Sequence, residues 1–173
     1  MPYWSCERDV SDTDQPIILI AEDREDDILV ITKAFEKTGS RIPLQFVRDG
    51  EEVVNYLAGT GKYSNRLEYP VPALLLLDLK MPRLDGFEVL RWIRQQPTLA
   101  QLRVVVLTSS NELRDVNKAY SLGAHSFLVK PTDFELTVGL ASVLEHYWVG
   151  LNKPPSVSRP AKTPSEFRSK DNR

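Results

Sequence analysis

The chain has 173 residues, 42% of them hydrophobic and 27% charged, with 22 basic side chains against 24 acidic ones. That length suits one ordinary domain with tails, and a net charge of −2 makes no case for direct nucleic-acid binding. A single cysteine, Cys6, excludes an internal disulfide, and no stretch approaches the ~20 apolar residues of a membrane span, so a cytoplasmic protein with no membrane attachment is expected.

Residues 1–15 are rich in Ser, Asp and Thr and read as a flexible arm carrying Tyr3 and Trp4. Residues 17–21, Ile-Ile-Leu-Ile-Ala, form a strand that ends in Glu22-Asp23. Glu25, Asp26 and Asp27 open a first helix, where anions complement the positive end of the dipole; Asp26 and Asp27 are expected to be solvated there. Ile28, Ile31 and Phe35 recur at helical spacing until Thr38-Gly39. Residues 44–47 are a second strand and residues 50–57 a second helix. Gly59-Thr60-Gly61 is no phosphate loop, since no Lys-Ser/Thr pair follows it. Residues 62–72 are a long, polar connection for a small domain.

Residues 73–77, Ala-Leu-Leu-Leu-Leu, have the pattern of a strand buried on both faces. This strand delivers Asp78 where the apolar run stops. By itself Asp78 reads as a helix cap or turn residue, but a partly desolvated carboxylate stays ionised only if something compensates its charge. Phe87, Leu90 and Ile93 mark a third helix stopped by Pro97, and residues 104–107 a fourth strand ending in Thr108-Ser109-Ser110. Leu113, Val116, Ala119, Tyr120 and Leu122 make a fourth helix, closed by Gly123. Residues 126–129 are a fifth strand ending in Lys130-Pro131. Thr132 opens a fifth helix with Leu136, Leu140, Leu144 and Trp148 every four residues. His125 and His146 read as structural or surface residues. Residues 151–173 turn Pro-, Ser- and Lys-rich and read as a disordered basic tail.

Five strands alternating with five helices predict an α/β fold, a doubly wound five-stranded parallel sheet with helices on both faces. Ligands of such sheets bind at the carboxyl ends of the strands, and in the order 2-1-3-4-5 Glu22, Asp23, Asp78, Thr108 and Lys130 share one rim. Crowded carboxylates call for a hard divalent cation such as Mg²⁺, held chiefly by Asp23 and Asp78 with Glu22 acting through a water. Lys130 adds a compact positive charge and Thr108 a hydroxyl donor. Together these suit in-line attack by Asp78 on a phosphoryl group.

Glu22-Asp23, the run Leu-Asp-Leu-Lys-Met-Pro over residues 77–82 with Asp85-Gly86, Thr108-Ser109 and Lys130-Pro131 resemble the receiver domain of two-component response regulators. The resemblance covers residues 16–150 and implies a flavodoxin-like fold. It also implies Asp78 as phosphoacceptor, Thr108 as switch hydroxyl, Phe127 as switch aromatic, and Lys130 as the lysine of the site. Glu22, Asp23, Asp78 and the backbone carbonyl of Lys80 are the implied Mg²⁺ ligands. A cis Lys130-Pro131 bond is implied as well, an isomer affordable only before proline. The 62–72 connection and the lack of a fused output domain look like the small regulators paired with phytochrome-type sensor histidine kinases. Those relatives often form homodimers through the face of the fourth helix, fifth strand and fifth helix; here His146, Tyr147 and Trp148 either join such an interface or, for Trp148, pack under the sheet. The resemblance thus implies a phosphoacceptor signalling module rather than an enzyme with a separate substrate. Two other readings stand beside it: a docking module that works without phosphorylation, and an aspartyl-nucleophile phosphohydrolase. Lys80 counts against the second, because such enzymes carry a carboxylate at that place.

Overall fold

The computed structural model describes residues 16–151, with side chains as far as Tyr147. The arm over residues 1–15, Cys6, the Trp148 side chain and the tail beyond residue 151 lie outside the described residues. Strands β1 (Ile18–Ala21), β2 (Leu44–Val47), β3 (Leu74–Leu77), β4 (Arg103–Thr108) and β5 (Ser126–Val129) alternate with five helices. The helices are α1 (Glu25–Lys37), α2 (Gly50–Ala58), α3 (Gly86–Arg94), α4 (Leu113–Ser121) and α5 (Phe134–Val143). The sheet is parallel throughout, as the alternation predicts, and its order is the expected β2-β1-β3-β4-β5. Among the described residues no helix is long and apolar enough to cross a membrane.

Strand side chains alternate between the two faces, and both faces are covered, which is why the strands read as unbroken apolar runs. Leu19, Leu75, Leu77, Val104 and Val106 join Val53, Leu57, Leu90 and Ile93 in one core layer. Ile18, Ile20, Leu74, Leu76, Val105 and Leu107 join Ile31, Phe35, Ala141 and Leu144 in the other. Register then sets the rim: Ala21 pairs with Leu77, and Leu77 with Val106, so the next residues of β1 and β3 emerge side by side.

The 62–72 connection is tied down by its own side chains. The rings of Tyr56, Tyr63 and Tyr69 contact one another at 5.0–5.9 Å between centroids. The Arg66 guanidinium donates to the carbonyls of Tyr56, Leu57 and Tyr69, which adds partners at the carboxyl end of α2.

The fourth helix lies where the sequence puts it, and two other expectations need correction. Only Ala119 of α4 is buried, while Leu113 is 72% and Tyr120 49% exposed, so the apolar spacing marks a helix without marking its inward face. Helix α5 starts at Phe134, capped by Asp133, and passes at Leu144 into a π-helical segment, Leu144–Leu151. Its buried residues are Thr137, Ala141 and Leu144; a strict four-residue spacing drifts around a 3.6-residue helix and leaves Leu136 exposed. Lys130-Pro131 is trans, since no described peptide bond is cis. Before proline the two isomers differ by only about 0.5–1 kcal/mol, so the dipeptide alone does not choose between them.

The His125 ring accepts the Val104 N–H at its Nδ1, 3.1 Å away, and therefore has to be unprotonated there. Burial, with Arg94 and Arg103 adding to it, holds its pKa below the ordinary value of 6.5. The unfolded chain thus takes up the proton first, and stability is lost as pH falls below about 6.5. His125→Asn, which keeps an acceptor oxygen and cannot titrate, should flatten that loss. Thermal melts of both proteins between neutral and mildly acid pH check it.

Candidate functional site at the carboxyl edge of the sheet

The rim is an extension of the sheet's own ladders. Beyond β1, the Glu22 N–H donates to Val47 O at 3.0 Å; beyond β3, the Asp78 N–H donates to Ala21 O at 3.1 Å. Glu22 and Asp78 are therefore fixed beside each other by backbone, with only 1% and 4% of their surface exposed. Asp23, the next residue on β1, is exposed.

The segment after Asp78 folds back onto α3. The Gly86 N–H donates to Leu79 O, and a Cβ at Gly86 would sit 2.5 Å from Asp78 O, so no larger residue fits without moving the rim. Asp85 and Glu88 cap α3 reciprocally. Arg83, in the left-handed region at φ 67°, pairs with the buried Asp49 that caps α2. Gly50 admits the Leu84 carbonyl at a point where a Cβ would clash at 2.2 Å. The Lys80 side chain is exposed, and its N–H donates to Asp78 Oδ1 at 3.2 Å.

Lys130 leaves β5 with its N–H on Thr108 O at 2.8 Å. Its ammonium donates to Glu22 Oε2 at 2.5 Å, Asp27 Oδ2 at 2.8 Å and Asp78 Oδ2 at 2.8 Å, which uses all three of its protons. Burial pulls the Lys130 pKa down, yet the hydrogen bonds it donates to Asp27, Asp78 and Glu22 outweigh burial and hold the proton well above the ordinary lysine range. Burial also raises the Glu22 pKa, against the lowering effect of Lys130.

Asp27 is the residue that sequence reasoning misplaced. It was expected to be solvated, but it lies four residues beyond Asp23 on the first turn of α1 and reaches back over the rim to Lys130. Its one local signal, an acid in the first turn of a helix, points to the dipole and not to Lys130. Thr108 is fully buried at the end of β4, where its Oγ1 accepts the Ser110 N–H at 3.4 Å. The Phe127 ring packs, partly buried, against the α2–α3 side of the core, and its N–H donates to the Tyr120 hydroxyl at 3.2 Å.

Carboxylate oxygens of Glu22, Asp23 and Asp78 all lie within 4.8 Å of one another. Three hard anionic donors that close, only partly neutralised by one lysine, fit a Mg²⁺ or Mn²⁺ ion. The response regulator receiver domain pattern matches residues 18–140. The chain belongs to the response regulator receiver family.

Some relatives match it along nearly their whole length, others over less than half of theirs. A probable methanogenesis regulatory protein, FilR2, of Methanothrix harundinacea is 35% identical over 159 residues, 90% of this chain and 98% of that protein. The crystal structure of response regulator RPA3017, in red light signalling of R. palustris, superposes with TM-score 0.78 at 37% identity, covering 82% of this chain and 99% of the other. That of the phosphorylated cyanobacterial phytochrome response regulator RcpA gives 0.75 at 32% identity, with the same two coverages.

Removing the ammonium leaves Glu22 and Asp78 buried without their cation. Lys130→Met should therefore cost about 3–5 kcal/mol in metal-free buffer. Added Mg²⁺ should recover much of that loss, and more than it adds to the unmodified protein. Chemical denaturation with and without Mg²⁺ measures both.

Proposed function

We propose that this receiver domain accepts a phosphoryl group on Asp78 from the phosphohistidine of a sensor histidine kinase and passes the signal on by changing shape. The observation that carries this reading is a carboxylate at the tip of a buried strand, with an ammonium 2.8 Å away and two further acids beside it. An Asp78 oxygen attacks phosphorus in line; the O–P bond forms as the P–N bond breaks, and the bonding pair returns to the imidazole nitrogen. A carboxylate nucleophile carries no proton to be removed at neutral pH, so the step needs no general base. Mg²⁺ held by Glu22, Asp23, Asp78 and the Lys80 carbonyl would supply positive charge to the phosphoryl oxygens. Lys130 offsets the rest of the developing charge, and the Lys80 amide, already on Asp78, is placed to donate to it.

The product carries more negative charge than the carboxylate it replaces. Thr108, whose hydroxyl proton is not committed to Ser110, turns to donate to the phosphoryl group, and Phe127 moves further into the core. Because Phe127 has no hydroxyl, ring burial alone conveys its state. The changed face is that of α4, β5 and α5, where Tyr120, Val129, Leu136, Val143 and Tyr147 are 47–65% exposed, and a second copy of the chain is its proposed partner. A phytochrome-type kinase is the proposed donor, because RcpA is a phytochrome response regulator and RPA3017 acts in red light signalling. The site lies in the cytoplasm on this reading and works as a signalling switch.

Incubation with acetyl phosphate and Mg²⁺ should add one phosphoryl mass, absent in Asp78→Asn; uptake by that variant, or none by the unmodified chain, would refute the assignment. Sedimentation should show a larger dimer fraction for the phosphorylated protein than for Asp78→Asn, and Tyr147→Asp should lower it.

A further inference from the structure

Asp27 has no part in the mechanism above, yet it shares the lysine on which that mechanism relies. Three carboxylates hold the Lys130 ammonium, and they are not equivalent. Glu22 and Asp78 belong to the group of acids whose oxygens converge within 4.8 Å; Asp27 stands outside it. A divalent ion bound by that group draws on the charge of Glu22 and Asp78, weakening their hold on the ammonium. Asp27 keeps its full charge for Lys130. Its other ionic neighbour is the exposed Arg24, at 3.9 Å, a weaker and screened contact.

The two anchors also differ in where they stand. Glu22 and Asp78 sit on the ends of β1 and β3, whereas Asp27 is on α1, one helical turn past the rim. Its side chain is 29% exposed and that of Lys130 15%, so the contact closes the site on the α1 side.

We infer that Asp27 is a positioning residue: it anchors Lys130 independently of the cation, so that the ammonium stays directed at Asp78 while the metal ligands are engaged. The inference rests on the phosphoacceptor reading of Asp78 for its kinetic consequence, but not for its structural one. Without Asp27, the loaded site would hold its lysine through two carboxylates already shared with the ion, and the ammonium would wander from the line of attack.

The experiment compares the full chain with Asp27→Asn and Asp27→Glu. The first readout is the ¹⁵N-detected ammonium signal of Lys130, assigned by its loss in Lys130→Arg and followed as Mg²⁺ is added. A slowly exchanging signal should persist through saturation in the unmodified protein, vanish on Mg²⁺ addition in Asp27→Asn, and return in part in Asp27→Glu. The second is the rate of phosphoryl uptake from acetyl phosphate as a function of Mg²⁺. Asp27→Asn should lower the plateau rate roughly tenfold, the scale of one misplaced charge-assisted hydrogen bond. A deficit that disappears at high Mg²⁺ would overturn the inference, because Asp27 would then act by attracting the cation. So would an ammonium signal that survives Mg²⁺ in Asp27→Asn. Failure of the unmodified chain to take up phosphate would instead sink the phosphoacceptor reading, while the ammonium signal would still decide the role of Asp27.

Discussion

One ammonium compensates the acidic rim, and much of the domain's arrangement serves to bring it there. Glu22 and Asp78 are almost fully buried, and a buried carboxylate without a cation costs several kcal/mol even after relaxation. Their counter-ion comes from β5, on the far side of β4 from β3, so the sheet order decides whether it can arrive. The Lys130 backbone continues the β4–β5 pairing through its bond to Thr108 O, and the side chain spans the remaining distance. Lysine suits this task better than arginine would, because a compact ammonium on a flexible stem can meet three converging acids, while a planar guanidinium favours paired, coplanar acceptors.

The compensation is incomplete by construction. Asp23 is not among the acids that Lys130 contacts, and three carboxylates within 4.8 Å repel one another whatever the lysine does. A fold could avoid this by placing Asn at one of the positions. Retaining the repulsion makes the rim receptive to further positive charge, and so to a divalent cation and the phosphoryl group that comes with it. Binding and stability are thereby linked: what fills the site relieves strain already present in the folded chain.

The strand ends were legible from sequence because a buried parallel strand has a conspicuous composition, and the first polar residue after it has to lie at the sheet edge. Glu22, Asp78, Thr108 and Lys130 are all such residues, and the register brings them to one rim as expected. Asp27 was not legible in the same way. An acid in the first turn of a helix already has a sufficient local explanation in the dipole, and its partner is 103 residues away. The pairing of Arg83 with Asp49 is hidden for the same reason, and nothing in the local sequence reports that an arginine adopts a left-handed backbone there. In α5 the leucine spacing misled because periodicity reports that a helix has a face, while neighbouring elements decide which face is covered.

The two sides of the rim are built to different tolerances, and this bears on where a signal can travel. On the α2–α3 side, Asp49 and Asp85 cap their helices, Gly50 lies against the Leu84 carbonyl, Arg83 joins the two loops, and Arg66 closes the far end of α2. Close contacts of that kind admit one arrangement. On the other side α4 has no side-chain cap and one buried residue, β5 is only partly buried, and α5 changes pitch at Leu144. Thr108 and Lys130 stand on the strands that border this softer side, and the Tyr120 hydroxyl links α4 to the backbone of Phe127. A change in charge at Asp78 pulls on both sides through its neighbours. The stiff side resists, so a displacement is taken up by the more loosely held elements, which are also those that leave apolar side chains exposed.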